Sequence, residues 1–271
     1  MTSGAQATTP SGRMTGLRAV LFIATTAFAT APFELEAAPS LEEQVVALVN
    51  AERQANGGLP PLKHEPKLEA AAELHSANMA ARDFFAHCDP DTGKTPWQRL
   101  TDAGYAWSDA GENISAGDAT AEAVMTSWMS SPGHRTNILK AEFREIGVGH
   151  AYQSGDTGNV RRDSNGDCVP DGTPGGPYRY YWTQNFGSRG SVYPVVIDRE
   201  ASETQSRQVS LYLYGKGQAT QMRLRNETGA WTKWQSFAES VNWTLSEGNG
   251  QKEVEVELKN GTGSLGTAKD Q

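Results

Sequence analysis

Cysteine is scarce in this chain of 271 residues: there are two, Cys88 and Cys168, and no C-x-x-C pair of the kind that builds zinc ribbons or thioredoxin-like redox sites. H-E-x-x-H is absent, so no helix face offers that pair of zinc ligands, and without G-x-S-x-G there is no strained turn to present a hydrolase serine. Positive charge is also short. The formal net charge is −8, with the acidic excess between residues 30 and 190 and no cluster of Lys and Arg. That balance excludes nucleic acid as a partner and disfavours an anionic membrane surface. The one sustained apolar run, Ala19 to Ala31, is too short to span a bilayer core of roughly 30 Å, so no transmembrane segment is expected in the mature protein. Arg13 and Arg18 precede this run, and A-x-A matches end it at Ala29 and Ala31. Charged-then-apolar order with small residues at the exit is the layout of a secretory signal, which assigns 1–38 to a signal peptide and linker and places the mature chain outside the cell or in its envelope. In that compartment two cysteines read as a disulfide. A Cys88–Cys168 link closes a loop of roughly eighty residues and is worth about 4 kcal/mol in the chain-entropy model.

Local signals then order the chain. Ser40 and Glu43 form a capping box ahead of the helical pattern Leu41, Val45, Leu48, Val49. Pro66 opens a second helix that runs to about Phe84, with His75 on its buried stripe beside Leu68, Ala71, Ala72 and Met79. Thr95, Pro96 and Gln98 start a short third helix. Asp118 or Thr120 starts a fourth, which Pro132 is expected to end, with Gly133 turning the backbone and His134 just beyond the helix. EIGVGHAY, opened by Glu145, and YRYYWTQNF, Tyr178 to Phe186, read as strands. The class implied is α+β, helices flanking a small antiparallel sheet. After Gly190 six short segments rich in β-branched and aromatic residues predict a small all-β sandwich over 190–262, with 263–271 as a disordered tail.

His87, Glu112, His134 and Glu145 are the candidate site residues. Two imidazoles with one or two carboxylates can hold a divalent ion such as zinc, or act as acid and base. DSNGDCVPDG also offers Asp163, Asn165, Asp167 and Asp171 as oxygen ligands for calcium, although Cys168 replaces the sixth-position glycine and no glutamate closes the loop.

LVNAERQANG, LHSANMAARDFFAH, AGENISAG, WMSSPGHRTNIL and FREIGVG, in that order, resemble the bacterial branch of the CAP superfamily, also called the SCP domain. The resemblance covers roughly residues 41–188 and assigns 39–189 to an α-β-α sandwich with a central cleft lined by two histidines and two acidic residues. It carries the first histidine onto His87, the first glutamate onto Glu112 and the second histidine onto His134. Ser131 stands where animal and plant members have the second acidic residue, which puts constitutive zinc binding in doubt; Glu145, from the adjacent strand, is the candidate substitute. The region 190–262 resembles Ig-like or fibronectin-like modules of bacterial surface proteins. Three functions follow as expectations: a secreted binding module for an extracellular or envelope ligand such as a lipid or glycan; a metal-assisted hydrolase using His87 and His134 with Glu112 or Glu145; or an adhesive envelope protein acting through its β-rich half. The first is preferred, because neither a nucleophile nor a full ligand set is readable.

Overall fold

The computed structural model describes Met1, residues 38–163 and residues 165–271, so the expected signal segment lies outside the described residues. Met1–Ala37 and Ala38–Gln271 are separate units, and the second carries everything that follows. Its first helix, α1 (Leu41–Ala55), starts where the capping box requires: the Ser40 hydroxyl accepts from the Glu43 amide at 3.1 Å and the Glu43 carboxylate accepts from the Ser40 amide at 2.7 Å. After β1 (Lys63–His64), α2 (Pro66–Arg82) begins on its proline and stops at Asp83, which turns left-handed with φ 51°. Then come β2 (Phe84–Phe85), the capped α3 (Pro96–Asp102), β3 (Asp109–Ala116), α4 (Ala121–Ser130), α5 (Pro132–Ile138), β4 (Glu145–Tyr152), β5 (Arg161–Arg162) and β6 (Tyr180–Ser188).

The structure departs from expectation around the site. Pro132 does not end the site-bearing helix region but opens α5, because a first-turn proline forfeits no helical hydrogen bond. The break lies one residue earlier, at the extended Ser131, and His134 therefore sits inside the first turn of a helix. AGENIS, to which the sequence assigned no element, lies within strand β3.

The main sheet has the order β1-β4-β6-β3, antiparallel except for the parallel β1–β4 pair. Alternation along β4 decides what packs on each face. Ile146 and Val148 point into a core shared with Val45, Val49, Val124 and Trp128 of α1 and α4. Gly147 and Gly149 point the other way and let α2 lie directly on the strand: a Cβ at Gly147 would stand 2.0 Å from the Glu69 amide nitrogen, and one at Gly149 would stand 2.1 Å from that of Glu73. Helices thus cover both faces, the α-β-α arrangement.

The second half contains β7 (Val195–Ile197), β8 (Gln208–Leu213), β9 (Gln221–Asn226), β10 (Gln235–Ser236), β11 (Ser240–Thr244), β12 (Val254–Asn260) and β13 (Gly263–Asp270). Two sheets, β10-β9-β12-β13 and β11-β8-β7, close on Leu211, Leu213, Leu224, Val254, Val256 and Leu258. The tail expected to be disordered is strand β13, paired along β12 from Gly263 to Asp270. Backbone pairing holds it, and the buried Asp270 carboxylate anchors its end by accepting from Lys63 Nζ at 2.5 Å and from the Ile197 amide. The two halves are further joined by Arg199, whose guanidinium donates to the Asn50 carbonyl at 2.7 Å, and by Tyr214, whose hydroxyl donates to the Pro61 carbonyl at 3.0 Å.

Candidate functional site

His87 follows β2 in a loop fixed from two sides. Beneath it lies His75 of α2, fully buried, whose Nε2 is 2.9 Å from the Ala86 carbonyl. Burial drives the His75 pKa down to about 4, so the ring is neutral and Nε2 carries the hydrogen it donates. On the other side Cys88, next to His87, is disulfide-bonded to Cys168, which ties this loop to the 163–172 segment.

Glu112 enters from β3 and is the electrostatic centre of the site. Its Oε1 is 2.8 Å from His87 Nδ1, and its Oε2 accepts from Arg99 Nη2 of α3 at 2.6 Å. Burial opposes the charge on Glu112, yet the His87 hydrogen bond and the Arg99 guanidinium outweigh it and hold the carboxyl below its usual range. An ionised carboxylate only accepts, so His87 Nδ1 is the donor and the lone pair of a neutral ring falls on Nε2. The imidazole is 45% exposed while the Glu112 side chain is 2% exposed, so the ring is the part of this pair a ligand can touch.

His134 is brought alongside by α5. Asn113, the neighbour of Glu112 on β3, donates through Nδ2 to the His134 carbonyl at 3.1 Å, and Asn137 Nδ2 donates to Asn113 Oδ1 at 2.9 Å. The helix is thus pinned to the strand that carries the carboxylate. Desolvation, then the nearby His87, lowers the His134 pKa, so this ring is neutral at neutral pH.

Glu145 stands apart from these three. It shares a sheet face with Glu112 but lies on β4, with β6 between and two residues further along the register, roughly 12 Å away backbone to backbone. Its carboxylate is 2% exposed and fully engaged, accepting from the Tyr105 hydroxyl at 2.7 Å and from the Arg189 guanidinium. A carboxylate this buried needs a cation, and Arg189 at the end of β6 supplies it. Arg99 is the site residue that sequence reasoning missed. Its signal was slight: the one cation in a seven-residue helix, beside the buried Leu100.

In the proposed calcium loop the side-chain oxygens of Asp163, Asn165 and Asp167 are turned inward on the loop itself. Asp163 accepts from the amides of Gly166 at 2.7 Å and Cys168 at 2.9 Å, and Asn165 and Asp167 bond each other and the next amides. The Asp171 amide donates to the Arg162 carbonyl at 3.1 Å. Among the described residues no group of three or more His, Cys, Asp or Glu is arranged to hold a metal ion, in this loop or at the cleft. None of the described helices is long and apolar enough to cross a membrane.

The model of the family described as "CAP: Cysteine-rich secretory protein family" matches residues 46–186. The uncharacterized protein YkwD of Bacillus subtilis (strain 168) is 42% identical over 109 residues, 40% of this chain and 42% of the relative. The uncharacterized membrane protein YlbC of the same organism is 30% identical over 108 residues, 40% of this chain and 31% of the relative. The matched part of the chain therefore spans less than half the length of either. Among solved structures, an extracellular protein containing a SCP domain from Bacillus anthracis str. Ames is 28% identical, covering 55% of this chain and 40% of that one with a TM-score of 0.43. An outer surface protein from Borrelia burgdorferi is 16% identical, covering 56% of this chain and 96% of that one, with a TM-score of 0.43. The family match spans more than half of the chain and includes His87, Glu112 and His134, and on that basis the chain belongs to the CAP, or cysteine-rich secretory protein, family.

Proposed function

We propose that the protein is exported and works outside the membrane as a binding module, with the His87–Glu112–His134 cleft taking a small polar ligand. Export is supported by the disulfide, by the charged-then-apolar order of residues 13–31 and by the family's secretory character. The binding reading is carried by one observation: Glu112 gives one oxygen to His87 and the other to Arg99. A carboxylate so committed orients an imidazole and is not free to serve as a base. Among the described residues no Ser, Thr or Cys side chain is hydrogen-bonded to either ring, so no nucleophile is activated there. A resident zinc ion does not fit this donor set, because only the two imidazoles remain once the buried Glu112 is engaged by His87 and Arg99. What remains is an oriented, partly exposed His87 ring and a second imidazole, His134, suited to polar groups such as hydroxyl or amide.

The test follows the imidazole resonances of His87 and His134 by NMR while the mature chain is titrated with a panel of polyols, amino sugars, short peptides and zinc chloride. The expected result is a ligand that shifts both rings in the intact protein and no longer binds His134→Ala. Turnover of peptide, ester or glycan substrates that disappears in His87→Ala would overturn the binding reading in favour of a hydrolase. Zinc binding that requires both histidines would overturn the account of the donor set.

A further inference from the structure

The three-stranded sheet of the β-rich half has an open edge. In the order β11-β8-β7, β11 pairs with β8 alone. The Leu213 amide donates to the Glu239 carbonyl and the Leu245 amide to the Arg207 carbonyl, so odd-numbered residues of this segment turn their backbone groups towards β8. Ser240, Asn242 and Thr244 therefore direct theirs away from the sheet. One of these groups is met: the Thr244 carbonyl accepts from Asn226 Nδ2 at 2.9 Å. The three amides and the carbonyls of Ser240 and Asn242 have no partner among the described residues. Sheet edges are ordinarily guarded by lysine, proline or a bulge. β11, Ser-Val-Asn-Trp-Thr, has none of these, and its pairing with β8 runs in unbroken register.

A recess of about 460 Å³ lies along this edge, between Asn242, Trp243 and Thr244 on one side and Arg225, Asn226 and Gly229 on the other. We propose that β11 is a docking edge for an extended, uncharged segment of a partner polypeptide, which lies in the recess and adds to the sheet as a fourth strand. The far wall is held in place: Arg225 donates to Glu255 at 2.6 Å and stacks on Trp231 at 4.5 Å. The side chains argue against a glycan. Trp243 lies on the half-buried inner side of β11, packs against the core and has its Nε1 tied to Asn226 Oδ1, so its indole is held in place and is not a free platform for a sugar ring. Arg225 is already neutralised by Glu255, which favours an uncharged segment.

The experiment titrates the isotopically labelled full chain with three N-acetylated peptides of alternating Thr-Val, Thr-Ile and Asn-Val sequence. Binding should shift the amide resonances of Ser240, Asn242 and Thr244 and slow their hydrogen exchange. N-methylation of alternate peptide amides should weaken binding by about tenfold in one phase and leave it intact in the other. Asn242→Pro removes an N–H that the sheet itself does not use, so the fold and melting temperature should persist while peptide affinity falls by about tenfold or more. If that variant does not fold, the N-methyl series decides alone. No response of these amides to any of the three peptides at about 1 mM would overturn the proposal. So would equal sensitivity to both methylation phases, the same shifts caused by chito-oligosaccharide in place of peptide, or self-association that Asn242→Pro abolishes.

Discussion

Replacing Arg99 by leucine tests the electrostatic centre of the cleft. The Arg99 and Glu112 side chains are 5% and 2% exposed and meet at 2.6 Å, so water solvates neither charge to any useful degree. Removing one partner of such a pair leaves the other buried and costs about 3–5 kcal/mol. Glu112→Gln strands Arg99 and should cost a similar amount. Arg99→Leu with Glu112→Gln removes both charges, so the double variant should be at least about 2 kcal/mol better than the sum of the two single losses. The pH dependence has a definite sign. In the native protein the Glu112 pKa lies below its ordinary 4.5 in spite of burial, which contributes stability above that pH and loses it as pH falls through the folded value. In Arg99→Leu burial dominates, the folded pKa moves above the unfolded one, and the variant recovers relative to the native protein as pH falls towards about 4.5. Urea denaturation followed by tryptophan fluorescence at about pH 7.5 and about pH 4.5 measures both effects. A neutral-pH loss under about 1 kcal/mol, a difference that does not change with pH, or strictly additive single variants would refute the reasoning.

Three further outcomes are expected. Gly147→Ala should cost about 3 kcal/mol or more, or prevent folding, because the new Cβ meets backbone atoms of Glu69 and Leu68 at 2.0 and 2.3 Å; Gly133→Ala, with nothing within 4 Å, should be neutral or stabilising, and equal melting temperatures for both variants would contradict the packing of α2 on β4. Replacing Cys88 and Cys168 by serine releases a loop with a sequence separation of 80 and should cost about 4 kcal/mol in the chain-entropy model, read from denaturation midpoints, whereas free thiols in the unreduced native chain would refute the pairing. Glu200, beside Asp270 and 3.1 Å from Lys63, has its pKa pushed up to about 7 by burial and by Asp270, against the pull of Lys63. The folded state then holds more protons between about 4.5 and about 7, so stability falls as pH rises through that window; Glu200→Gln should flatten the slope, and an unchanged slope would assign it elsewhere.

The parts of the fold that could be read in the sequence are those whose chemistry is local. Ser40 with Glu43, Thr95 with Gln98 and Pro66 each mark a helix start within one turn, and alternation in EIGVGHAY marks a strand together with the face each residue takes. Pro132 shows the limit of such signals. The same missing N–H ends one helix or begins another, and the outcome turns on the extended Ser131, with φ −95° and ψ 121°. β3 escaped notice because Asp109-Ala-Gly-Glu-Asn has poor strand propensity; pairing to β6 overrides it, and Gly111 leaves room for the Phe143 ring. β13 is rich in Gly, Ser and Thr and reads as tail, but its order comes from backbone bonds that composition does not report. For the site, family motifs pointed to His87, Glu112 and His134, and Glu145 was added from its place on the adjacent strand; the structure gives Glu112 and Glu145 different surroundings. The difference lies in the partners. What a buried carboxylate does is set by the cation that meets it, and those cations come from distant positions: Arg99 for Glu112 and Arg189 for Glu145. The motif therefore names Glu112 and His87, while the pairing that engages both Glu112 oxygens exists only once α3 has folded against β3.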